Sequence, residues 1–166
     1  MNRRFFCEPI PVPGSAVALS AAESRHVQTV LRAREGDKIT LLDGNGARAA
    51  ARITAIGRKR DPVTCEILTH EIVPRPKPDV RLYVAPPRGK QFAQIIRQLT
   101  ELGAARITPI TTERSESKPT EAHETWSAAA IEACKQSGNP YLPSIDSPQL
   151  LKDLLTGDLE IGRAHV

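Results

Sequence analysis

The chain has 166 residues, of which 40% are hydrophobic, enough for one core or two small ones. No apolar run approaches the roughly 20 residues that cross a bilayer, and the opening Met1-Asn2-Arg3-Arg4 does not read as a secretory leader. Cys7, Cys65 and Cys134 are odd in number and widely spaced. They suit neither a zinc site nor a disulfide framework, so no metal is expected and a reducing cytoplasm is. The formal net charge is +4, all of it from residues 1–75, where 12 Lys/Arg face 8 Asp/Glu; residues 76–166 hold 11 of each. A basic first half attracts polyanions, although four charges alone are better read as ordinary solubilising charge.

Pro9, Pro11 and Pro13 keep the first segment extended. One short helix is expected between Ser20 and Arg34, with Ser20 or Ser24 as its cap and Val27, Val30 and Leu31 on one face. Residues 38–42 read as a strand, and Asp43-Gly44-Asn45-Gly46 as a tight hairpin turn. Residues 47–56 and 63–72 follow as two further strands. Pro74, Pro76 and Pro78 alternate with other residues and mark a semi-rigid spacer.

The pattern then changes. Residues 80–85 read as a strand, and Phe92, Ile95, Ile96, Leu99 and Leu102 fall at helical spacing before Gly103, a left-handed cap. Residues 106–111 are a second strand, in which Pro109 is uncomfortable at a central position. A second helix is expected from about Glu121 to Gln136, closed by Gly138 and Pro140, with Trp126 in the core. Strand, helix, strand, helix is the grammar of a parallel sheet with right-handed crossovers. Two strands leave that sheet unfinished; residues 150–155 form a third apolar segment, and residues 156–159 suit a further strand.

Three polar clusters stand at the ends of these elements: Gln98-Leu99-Thr100-Glu101-Leu102-Gly103, Thr112-Glu113-Arg114-Ser115 and Glu132-Ala133-Cys134-Lys135-Gln136-Ser137-Gly138. Together with Arg4-Phe5-Phe6, His26-Val27, Val30-Leu31-Arg32, Gly36-Asp37 and Asp43-Gly44, their order and spacing resemble the RsmE family of ribosomal RNA methyltransferases, of the SPOUT class. The resemblance covers nearly all of residues 1–155 and implies an α+β, two-domain chain. Residues 1–73 would form a PUA-like RNA-binding β-barrel, 74–79 a Pro-rich linker, and 80–159 the front of an incomplete α/β SPOUT (trefoil-knot) methyltransferase domain. It further implies S-adenosyl-L-methionine as cofactor, methylation at N3 of one uridine (the 1498 site) of 16S rRNA in the 30S ribosomal subunit, and a homodimer, with no membrane partner.

That chemistry needs a deprotonated imide nitrogen, in-line positioning of the methyl group, and donors for the charge developing on the base oxygens. The candidate catalytic residues are Arg114, whose fork is planar and permanently charged, with Glu113 and Glu132 to orient a partner or accept a proton. Candidate RNA contacts are Arg3, Arg4, Arg25, His26, Arg32, Arg34, Arg88 and Ser115. Against these stand plainer readings: residues 112–115 as a solvated strand-end loop, and His26 as a packed or rim histidine.

The family's glycine-rich and leucine-rich cofactor loops have no counterpart here, so the cofactor site is not expected within this chain. Residues 160–166 back-translate readily to a sequencing adapter and are expected to be a non-native tail. Gln98, Ala93 and Asn139 stand where the family usually has Lys, Glu and Arg, which bears on RNA affinity and leaves the fold alone. The alternatives are a non-enzymatic RNA-binding protein, or a SPOUT enzyme acting on another RNA.

Overall fold

A computed structural model describes residues 3–58, 61–88, 91–115, 117, 119 and 124–156; the expected strand over 156–159, the start of the second helix and the tail lie largely outside them. A five-stranded sheet comes first, in the order β1-β3-β4-β5-β2. Its strands are β1 (Arg4–Phe6), β2 (Ala16–Ala18), β3 (Lys38–Leu42), β4 (Ala47–Ile56) and β5 (Val63–Ile72). Alternation drives this arrangement. Along β4, Ala47, Ala49, Ala51 and Ile53 turn inward to meet Phe5, Leu41, Val63 and Ile67, while the intervening residues face outward. The β3–β4 turn is held by Asp43, whose Oδ1 accepts from the Asn45 and Ala47 N–H groups.

Helix α1 (Ala21–Arg25) packs against this core. Ser20 caps it, its Oγ accepting the Glu23 N–H at 3.2 Å. Ser24 does other work: its buried hydroxyl donates to the Leu19 carbonyl and accepts the Val63 N–H. Beyond Arg25 the winding loosens to π type over His26–Leu31. The expected single face therefore fails. Val27 is fully buried, but Val30, three residues on, is 64% exposed because a wider turn rotates it out of the 3.6-residue stripe.

The second sheet is parallel in each described pairing and is built on β7 (Arg106–Thr111). On one side β7 pairs with β6 (Arg81–Val84); on the other it pairs with β8 (Ser144–Ile145) through Arg106 and Ile107, then with β9 (Gln149–Leu150) through Ile110 and Thr111. Pro109 falls in the gap between β8 and β9, so its missing N–H interrupts no ladder on that side. In the same gap the Thr108 hydroxyl bonds the Asp146 carboxylate at 2.5 Å.

Helices α2 (Gln91–Glu101) and α3 (Glu124–Ser137) pack together, with Phe92 edge-to-face on Trp126 at 4.8 Å between ring centroids. Gly103, at φ +86°, closes α2. Leu102, beyond the last helical turn, is 83% exposed and takes no part in the core. The short helix α4 (Leu151–Leu155) follows β9.

The Pro-rich spacer is clamped between the two halves. The Tyr141 hydroxyl donates to the Val73 carbonyl at 2.5 Å, the Arg75 guanidinium lies 5.1 Å over the Tyr141 ring, and the Val73 N–H reaches the Gly46 carbonyl. The hairpin turn meets the same segment: the Gly46 N–H bonds the Pro140 carbonyl and the Leu142 N–H bonds that of Gly44.

Candidate functional site

The strongest candidate site lies at the carboxyl ends of β7 and β9, where parallel sheets present ligands. Thr111, Thr112, Glu113, Arg114, Leu150, Leu151, Lys152 and Leu155 line a cavity of about 500 Å³. Its tight turn is held from within. The Thr112 N–H donates to Ser115 Oγ at 2.7 Å, the two hydroxyls are 3.1 Å apart, and the Ser115 N–H returns to the Thr112 carbonyl. This lacing leaves Glu113 and Arg114 at the exposed crest. Thr111 Oγ1 reaches the Gln149 carbonyl at 3.5 Å, tying the turn to β9. Lys152 escaped the sequence reading; only the apolar segment that carries it was visible there.

Glu132 does not join them. It lines a different cavity, beside the first domain, and its carboxylate accepts from Lys135 Nζ at 2.7 Å. Lys135 also donates to both oxygens of Glu23, at 3.0 and 3.2 Å. Burial alone would push the Lys135 ammonium down, but hydrogen bonds to Glu132 and Glu23 and their charges outweigh it and hold its pKa above the ordinary lysine value. Glu23 in turn accepts the Phe6 N–H at 3.4 Å.

The remaining candidates fall into three situations. Arg4 is already engaged: its Nη1 donates to the Lys135 and Gln136 carbonyls at 3.2 and 2.9 Å, capping the C-terminus of α3. Gly138, at φ +82°, makes room for it, since a Cβ there would come within 2.9 Å of that guanidinium. Arg3 pairs with Asp37 at 2.8 Å. The Arg34 N–H bonds the same carboxylate, and this bond above all, with the charges of Arg3 and Arg34, holds Asp37 below the usual carboxylate range. Arg25, Arg32 and Arg34 are exposed on one continuous segment, with Arg32 in the left-handed region at φ +47°. His26 packs edge-to-face on Phe5 at 5.9 Å, and Arg88 and Ser115 lie in the second half, the former exposed.

Asn139 explains one departure from the expected pattern. Its Nδ2 donates to the Thr100 carbonyl at the end of α2 and its Oδ1 accepts the Tyr141 N–H, so it joins α2 to the segment leaving α3. The thiols are inert by burial, which pushes Cys65 up to about 11, with Cys7 adding to the effect, and Cys134 up to about 12.

A β-sheet half bearing an exposed arginine segment is thus joined to a parallel α/β half with its cavity at the strand ends, a charge pattern that suits a polyanionic partner. The comparisons sharpen this. Residues 74–162 match the family model described as RNA methyltransferase domain, and residues 19–60 the one described as RNA methyltransferase PUA domain. The chain belongs to the RNA methyltransferase family, with a PUA-like N-terminal domain and a SPOUT methyltransferase fold.

Among curated relatives, ribosomal RNA small subunit methyltransferase E of Synechocystis is 32% identical over 89% of this chain and 48% of its own length. The enzyme of the same name from Bacillus subtilis is 28% identical over 83% and 56%. The chain thus spans about half the length of these relatives. A putative methyltransferase from Legionella pneumophila, solved with SAM bound, superposes with a TM-score of 0.84 at 26% identity, over 97% of this chain and 69% of that one. The small subunit methyltransferase E of Neisseria gonorrhoeae, bound to S-adenosyl methionine, gives 0.82 at 25%, over 96% and 67%.

Proposed function

We propose that this chain is the front part of an S-adenosyl-L-methionine-dependent methyltransferase that modifies N3 of a single uridine, the 1498 site, in the 16S rRNA of the small ribosomal subunit. The observation that carries the reading is the serine-laced turn presenting Glu113 and Arg114 over the 500 Å³ cavity at the carboxyl ends of β7 and β9. The relatives named above act, by their names, on ribosomal RNA of the small subunit, which supports the substrate class.

The described lining supplies hydroxyls, one carboxylate and two cations, and in this reading the groups that hold the cofactor belong to the part of the relatives' length that this chain does not span. When bound, S-adenosyl-L-methionine supplies an electrophilic methyl group on a sulfonium. The chain's own residues act on the base. The uridine imide must lose its N3 proton before the nitrogen can bond to carbon, leaving negative charge on the flanking oxygens. Arg114 stabilises that charge from its exposed crest, and Glu113 accepts the proton or orients the base. Glu132, committed to Lys135, is left as a structural partner.

In this reading residues 1–73 bind RNA through Arg25, Arg32, Arg34 and the neighbouring His26, 74–79 link the domains, and 80–159 carry the turn. The full protein works as a homodimer in the cytoplasm, in ribosome biogenesis. The test is methyl transfer by the full-length protein to small subunits lacking the modification, with the product nucleoside located by mass spectrometry. A 3-methyluridine at one position, lost with Arg114→Ala, is the expected result. A methyl group on a ribose or a different base overturns the proposal, as does transfer to an RNA outside the small subunit.

A further inference from the structure

A second cavity is larger than the one just assigned. It measures about 780 Å³ and lies where the two domains meet, lined by β2 through Val17 and Ala18, by the segment following β1 through Phe6 and Glu8, and by α3 through Ile131 and Glu132. Its polar lining residues are Ser20 and three glutamates, Glu8, Glu23 and Glu132; none is a lysine or arginine. Lys135 pairs with Glu23 and Glu132, so Glu8 and one carboxylate of that cluster are left in excess; the cleft is anionic and largely apolar, and carboxylates repel a phosphate backbone.

The cleft also has an open strand edge. β2 is the last strand of its sheet and, among the described residues, pairs only with β5. The Leu19 N–H bonds the Val63 carbonyl and the Ser15 carbonyl accepts the Ile67 N–H, so odd-numbered residues point their backbone groups at β5. By the alternation of an antiparallel ladder, Ala16 and Ala18 turn their N–H and C=O groups to the open side. The opposite end of the sheet differs, since the Phe6 N–H of β1 is already bonded by Glu23.

We propose that this cleft binds an extended peptide in which apolar residues alternate with lysine or arginine, added as a further strand along β2. Backbone pairing with Ala16 and Ala18 supplies a sequence-independent anchor. Alternate side chains of an added strand point in opposite directions, so one set meets the apolar lining while the other reaches the carboxylates. Glu8 is the available acid: it is exposed and held by a single bond from Asn45 Nδ2 at 2.8 Å. A neutral apolar peptide leaves Glu8 unused, and RNA places phosphates against Glu8 and the acidic excess of the Glu23–Lys135–Glu132 cluster.

The experiment is fluorescence anisotropy of the full chain with a labelled short peptide alternating valine and lysine, compared with a valine–glutamate peptide and with a short oligouridine. The expected result is saturable binding of the basic peptide alone, unaffected by oligouridine. Glu8→Gln weakens it about tenfold, the effect of losing one charge-assisted hydrogen bond worth about 1.4 kcal/mol. Ala18→Pro removes an outward N–H on an exposed position and weakens binding by at least as much.

Equal binding of the acidic peptide, no binding of the basic one, or unchanged affinity in Glu8→Gln overturns the proposal. Displacement by oligouridine also overturns it and transfers the cleft to RNA. The assay contains no methyl donor, so its outcome is separate from that of the methylation test.

Discussion

Lys135, on α3, places its ammonium 3.0 and 3.2 Å from the two carboxylate oxygens of Glu23, on α1, 112 residues earlier in the chain. Both side chains are more than nine-tenths buried. The pair bolts the methyltransferase layer to the β-sheet domain, beside the point where Arg4 caps the same helix. A buried pair of this kind is weak evidence of net stabilisation, because desolvation offsets much of the attraction, but breaking it strands a charge.

Lys135→Ala is therefore expected to destabilise the chain by about 3–5 kcal/mol. The double variant Lys135→Met with Glu23→Leu recovers most of that loss, since it removes both charges. Urea midpoints of the three proteins check this, and a double variant no better than the single one refutes the account.

Lys135, held by Glu132 as well as Glu23, sets a pH dependence. The Lys135 pKa is raised in the folded chain, so its contribution is whole below the unfolded lysine value of about 10.4 and is lost as pH climbs through the higher folded value. The stability gap between the native chain and Lys135→Met is expected to be flat from about pH 7 to pH 10 and to narrow only above about 10.4. Denaturation at a series of alkaline pH values measures it.

Gly46 is predicted to be irreplaceable by alanine. It sits at φ +104°, and a Cβ there would stand 2.5 Å from the Tyr141 hydroxyl oxygen. Strain and overpacking together are expected to cost about 2–4 kcal/mol. The melting temperature should fall by at least about 4 °C. Tyr141→Phe, which loses only the bond to Val73, is expected to cost about 1 kcal/mol and to speed proteolysis within residues 73–78.

RNA affinity is expected to rest on the exposed arginines of the first domain. Replacing Arg25, Arg32 or Arg34 singly by alanine should weaken binding and lower the slope of log affinity against log salt by about 1 each, if each meets a phosphate. Arg4→Ala should act differently, reducing stability by uncapping α3 while leaving the salt slope unchanged. Filter binding over a salt series separates the two.

Most of the long elements were legible in the sequence. Strands 38–42, 47–56 and 63–72 lie where alternation and the Asp43–Gly46 turn chemistry put them, and α2, β7 and Trp126 follow the helical and apolar spacing. The two-residue strands β8 and β9 and the three-residue β1 and β2 were not, because a period cannot be read from so few residues. Val30 was misjudged for a related reason: periodicity assumes one helical pitch, and the winding changes at His26.

The candidate site divided along the same line. Local sequence sufficed to locate the turn of residues 112–115, since its serine–threonine lacing is made within three residues. Glu132 meets Lys135 by a local i,i+3 contact on α3, but that Lys135 would reach Glu23, and that Arg4 would cap a helix more than 130 residues away, depended on contacts between domains. Pro109 shows the division in one residue. Its chemistry forbids an uninterrupted central ladder, which is a property of the sequence. Only the assembled sheet supplies the gap between β8 and β9 that lets it stay, because that gap is made by chain arriving some 35 to 40 residues later.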